Sequence, residues 1–117
     1  MTNPVAVLHS VIDGNFQYWA FIFICPGCKE MLPESTGLHL LPVNSKEKTP
    51  SWDFDGNLAH PTLSPSILTK HGTIVDGVEQ ICHSFLQYGQ FQYLSDSTHS
   101  LAGKYVTMVP LEDWMLD

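Results

Sequence analysis

A chain of 117 residues is the length of one domain, and with 44% hydrophobic, 11% aromatic and only 15% charged residues it has the material for a packed core rather than a disordered segment. No apolar run approaches the roughly 18 residues of a membrane helix, and the opening MTNPVAVLHS lacks both Lys/Arg and a cleavage site, so the expectation is a soluble, cytoplasmic protein. Five Lys and Arg against twelve Asp and Glu give a net charge of −7, which leaves no basic stripe for phosphates and disfavours nucleic acid; a protein or peptide partner fits better.

In chain order, residues 5–12, Asp13-Gly14 and residues 15–24 read as a β-hairpin, with Asp-Gly supplying a type I′ turn. In the second run, Phe16, Tyr18, Ala20, Ile22 and Ile24 share one face and Trp19, Phe21 and Phe23 the other, which predicts a central strand covered on both sides. Residues 44–51, NSKEKTPS, read as a solvated loop, and residues 52–54 as a short strand closed by Asp55-Gly56. Pro61 and Pro65 bar a helix over 59–66 and push it into extended or turn conformation. A second hairpin spans 80–94 around Tyr88-Gly89, and 105–109 reads as a last short strand. Weak helical character is confined to 97–102 and 111–116, each too short to stand alone. The whole predicts a single mainly β domain over 1–117, a small antiparallel assembly of hairpins with little helix.

Cys25-Pro26-Gly27-Cys28 closes the central strand, and Pro and Gly in such a knuckle fold the backbone so that two thiolates converge on one tetrahedral Zn2+. A redox Cys-x-x-Cys should open a helix in a βαβ setting, and Pro33 and Gly37 fall where that helix would run. Cys82 is the remaining cysteine and the expected third ligand; the fourth is sought among His39, then His99 and His60. Three thiolates and one imidazole would make a closed, structural site with no open position for water.

Pairing Gln87 with Gln90 across Tyr88-Gly89 sets Cys82 opposite Ser95 and His83 opposite Leu94. Neighbouring strand residues point to opposite faces, so if Cys82 grips the metal His83 points away from it, with Asp96 as its diagonal neighbour. An imidazole oriented by a carboxylate is the base half of a nucleophilic unit. Ser66 or Ser64, on the proline-bounded LSPSI segment, are the candidate nucleophiles, ahead of Ser84 and Ser97.

The succession CPGC, SWDFDGN, PTLSPSIL, CHSFLQYGQFQYL and DSTHSLAG resembles a family of small phage and bacterial proteins of unknown function often mislabelled "ammonia monooxygenase", a label at odds with a chain that has no membrane span. More distantly, the order of knuckle, Pro-Ser-Ile block and Cys/His strand resembles a peptidase domain encoded beside bacterial ubiquitin-like conjugation genes. That resemblance implies zinc-ligand roles for Cys25, Cys28 and Cys82 and catalytic roles for Ser66 and His83. The chain departs from that relative in having Cys82 and His83 adjacent rather than separated. The expectation is a zinc-stabilised Ser/His hydrolase acting on a peptide or isopeptide bond; the alternative is a non-enzymatic zinc module of a phage protein that engages a host or defence protein.

Overall fold

The computed structural model of the chain describes residues 2–31 and 36–116. Its architecture is mainly β, in two antiparallel sheets. The first holds β1 (Ala6–Asp13), β2 (Phe16–Ile24) and β3 (Leu38–Val43) in that order. The second orders β4 (Asp53–Phe54), β5 (Leu63–Val75), β6 (Val78–Gln87), β7 (Gln90–Tyr93) and β8 (Tyr105–Thr107). Among the described residues helix is limited to α1 (Pro26–Met31) and a 3₁₀ turn, Asp113–Leu116. Among the described residues no helix is long and apolar enough to cross a membrane.

The first hairpin forms, but its turn differs from expectation. Asp13 pairs with Phe16, so Gly14-Asn15 occupy the corner, and Gly14 has φ +63° whereas Asn15 is not left-handed. That is the type II′ pattern, with glycine at the first central position, rather than the type I′ turn expected of Asp-Gly. The second hairpin pairs Gln87 with Gln90, and both Tyr88 and Gly89 have positive φ, as a type I′ turn requires.

The central strand β2 is buried on both faces only from Ala20 to Ile24; its first half lies at the surface, where Trp19 is half-exposed. Phe21 and Phe23 pack on the second sheet, with ring centres 5.1 Å from Phe54 and 5.8 Å from Phe91. Each such buried ring stabilises the fold by about 1.5–3 kcal/mol. On the opposite face Ile24 packs with Leu111 and Met115. The C-terminal segment is held there by the Leu111 N–H donating to the Pro4 carbonyl and the Asn3 amide donating to the Leu111 carbonyl.

Residues 97–102 do not form the weak helix expected of them. They run as turns because Ser97 and Thr98 spend their hydroxyls on the backbone of β6 rather than on their own segment. β3 starts at Leu38, so His39 lies within it. The two sheets are joined where Trp52 bridges Val43: the Trp52 N–H donates to the Pro42 carbonyl and the Asn44 N–H to the Trp52 carbonyl.

Candidate functional site

Alternation along β6 sorts its side chains into two environments. Cys82, Ser84 and Leu86 are buried, whereas His83 and Phe85 face outward. Ser66 sits in β5 inside a register shift between Leu63 and Ile67, and Leu68 lies directly opposite His83. The shift swings the Ser66 hydroxyl over the imidazole, with Oγ 3.0 Å from Nε2 of His83. On the other side of the ring, Nδ1 stands 2.9 and 3.1 Å from the two carboxylate oxygens of Asp96. A carboxylate only accepts, so Nδ1 carries a proton, and in the neutral imidazole Nε2 is then the acceptor for the Ser66 hydroxyl.

Asp96 follows β7 in a turn pinned to β6. The buried Ser97 hydroxyl accepts from the His83 N–H at 3.0 Å and donates to the His83 carbonyl at 3.0 Å. This clamp seats the carboxylate beside the ring. Of the other candidate serines, Ser84 is buried on the inner face opposite Ile67, Ser97 is committed to the clamp, and Ser64 lies exposed next to Pro65. Among the described residues Ser66 is the serine whose hydroxyl bonds the His83 ring.

The inner face of the same strand meets the cysteine knuckle. Pro26, whose ring suits the first helical position, opens α1 directly after Cys25, and the Cys28 N–H donates to the Cys25 sulfur at 3.4 Å. A helix does therefore begin in the knuckle, contrary to expectation. It is one short segment between antiparallel strands rather than the crossover of a βαβ unit. The ligand atoms of Cys25, Cys28 and His39 lie within 4.8 Å of one another, close enough to share a metal ion. His39 is brought in by its pairing with Phe23, on which its ring stacks. The Cys82 sulfur lies 3.6 Å from that of Cys25. His99 flanks the cluster, with Nε2 3.3 Å from the Cys82 sulfur, whereas His60 stacks on Tyr88.

The donor chemistry suits a soft divalent ion. Hydrogen bonds from the Cys28 and Cys82 thiols hold the Cys25 thiol well below its ordinary range. The same bonds to Cys25 push Cys28 up to about 12, and together with burial they raise Cys82. One sulfur ionises readily and the next two resist it, a resistance that a bound cation removes. Tyr93 seals the cluster: its buried hydroxyl accepts from the Gly27 N–H at 3.0 Å and lies 3.3 Å from the Cys25 sulfur. A side chain at Gly27 would displace His99, because a Cβ there would lie 2.4 Å from its Nε2.

Residues 4–94 match the model of the family described as bacterial ubiquitination-like system serine protease, BubE. The chain belongs to this family. No curated protein and no solved structure matches it. The BubE match encloses Ser66, His83, Cys25, Cys28, His39 and Cys82, and stops two residues short of Asp96.

Two features of the fold lie outside what the sequence patterns predict. The long β5–β6 hairpin turns at Asp76-Gly77, both with positive φ, and the same dipeptide signal noted at 13–14 was present there between Thr73-Ile74-Val75 and Val78. The Ser97 clamp had no local signal, since it joins residues 14 positions apart through a hydroxyl.

Proposed function

We propose that this protein is a serine-type hydrolase that cleaves peptide or isopeptide bonds in protein substrates of a ubiquitination-like system. The observation that carries the reading is the continuous relay from Asp96 through His83 to Ser66, with every link within hydrogen-bond distance. The family description of a serine protease supports it. In this reading Ser66 Oγ attacks the substrate carbonyl carbon while Nε2 of His83 takes the hydroxyl proton, and Asp96 stabilises the imidazolium that results. The tetrahedral intermediate expels the amine, which receives that proton from His83. Water, activated in turn by His83, then hydrolyses the Ser66 ester and releases the acid.

Cys25, Cys28, Cys82 and His39 would hold a zinc ion whose contribution is structural. Three thiolates and an imidazole fill a tetrahedral site, and the cluster lies on the face of β6 opposite His83. Holding Cys82 fixes the strand, and with it the ring of its neighbour. The test is covalent labelling by a fluorophosphonate followed by peptide mapping. Modification should fall on Ser66 and vanish in a folded Ser66→Ala variant; equal labelling of that variant would refute the assignment.

A further inference from the structure

The backbone beside Ser66 has an open side. The His83 N–H donates to Ser97 Oγ and its carbonyl accepts from the Leu94 N–H, so both polar groups of His83 point toward β7. Ile81 behaves alike, donating to Thr98 Oγ1 and accepting from the Thr98 N–H. In an antiparallel ladder, residues opposite such positions turn their own N–H and C=O the other way. Leu68 pairs with His83 and Lys70 with Ile81, so their polar groups face away from β6. On that outer side β4 pairs only with Leu63 and Ser64. The chain that would have continued along the edge is drawn off at Trp52, which bridges to Val43 in the other sheet. The Trp52 indole reaches back to cover the Ser66 carbonyl at 3.3 Å, and beyond it no described strand flanks β5.

Exposed edges are ordinarily blunted by charge, proline or irregularity. Here Pro65 lies on one side of the stretch and the register shift between Lys70 and Ile74 on the other, with Lys70 its one charge, so the segment between them, which no described strand flanks on its outer side, is the one that adjoins the nucleophile. Two apolar side chains stand exposed beside it, Leu68 at 48% and Phe85 of β6 at 36%, both on the side of the sheet that carries His83.

We propose that the β5 edge from Ser66 to Lys70 binds an extended, flexible segment of the protein substrate as an added strand, which delivers its scissile carbonyl to Ser66. The inference rests on the reading of Ser66 as nucleophile and names the form in which the substrate is taken. A segment exchanging both backbone bonds with Leu68 sits about 7 Å, one two-residue repeat, from the position opposite Ser66. Main-chain bonds supply the affinity and an apolar side chain over Leu68 the preference.

The experiment labels the wild-type protein with a small fluorophosphonate and with a series of peptidyl phosphonates, each N-methylated at a single amide. The unmethylated peptidyl probe should outpace the small one. Methylation should slow labelling by about tenfold at alternate amides and little between them, the factor that one lost hydrogen bond supplies. Leu68→Pro, which removes an N–H that β6 does not use, should lower the ratio of peptidyl to small-probe rates. Methylation effects without a two-residue period overturn the added strand while leaving Ser66 as nucleophile. A peptidyl rate per molecule that falls as protein concentration rises would assign the edge to a second copy of the chain and overturn it as well. Failure of both probe classes to modify Ser66 would instead sink the hydrolase reading, and this inference with it.

Discussion

Replacing Asp96 by asparagine isolates what the carboxylate contributes, because the side chain keeps its size and loses only its charge. Both oxygens of Asp96 lie within 3.1 Å of Nδ1 of His83, yet its side chain is 54% exposed against 23% for the imidazole. A unit charge about 4 Å from an imidazolium contributes about 1 kcal/mol at the dielectric of water and about 4 kcal/mol at an effective dielectric of 20. Exposure places this pair toward the watery end, at about 1–2 kcal/mol, or about 5- to 30-fold in rate. Asparagine can also offer its N–H to Nδ1, which favours the tautomer whose Nε2 no longer accepts a proton. The two effects together predict a loss of about 10- to 100-fold, well short of the roughly 10⁴ reported when the aspartate of such a unit is buried. The assay is the second-order rate of Ser66 labelling by a fluorophosphonate, with urea unfolding run in parallel to verify that the fold is intact. A rate within twofold of wild type would refute the orienting role of Asp96; a loss as complete as that of Ser66→Ala would refute the argument from solvent screening.

Ser97→Ala removes both bonds to the His83 backbone and strands its N–H, so urea unfolding should register a loss of about 1–3 kcal/mol together with slower labelling of Ser66; unchanged stability would show that the clamp is not needed. Cys82→Ser should reduce the zinc that copurifies, measured by native mass spectrometry, whereas Ser66→Ala should retain it; a wild-type protein purified without metal would refute the site. Hydrogen bonds from the Ser100 hydroxyl and N–H hold the Glu30 carboxyl below its ordinary range. A depressed folded value means that the contribution is complete above the unfolded pKa of about 4.3 and is lost as pH falls through the folded one. Acidification across that window should therefore destabilise wild type more than Glu30→Gln in urea titrations, and parallel curves would refute the contribution.

Much of the molecule was legible in local sequence. The period of two in residues 16–24, the Tyr88-Gly89 turn and the alternation that separates Cys82 from His83 depend on backbone geometry a few residues long, so they can be read without knowing the fold. The CPGC knuckle is legible for the same reason, since its convergence is built by Pro26 and Gly27 between the two thiols. The turns were less legible than the strands, because one Asp-Gly dipeptide serves two turn geometries, glycine leading at 14 and following at 77. Gly14 rather than Asp13 leads the first turn, and the second Asp-Gly, at 76–77, passed unread although it generates the longest hairpin.

Alternation in one strand determined that the thiol and the imidazole would part company, and the spacing after the Tyr88-Gly89 turn brought Asp96 within reach of the ring. Tertiary structure alone decided that Ser66, rather than Ser64, Ser84 or Ser97, meets that ring, because the choice depends on a register shift between β5 and β6. It also decided that His39 enters the cysteine cluster through its pairing with Phe23, and that no described strand continues along the edge beside Ser66, because Trp52 crosses to the other sheet. These outcomes are set by how distant strands align, and displacing a strand by one residue reverses which side chains meet; no local pattern encodes that alignment.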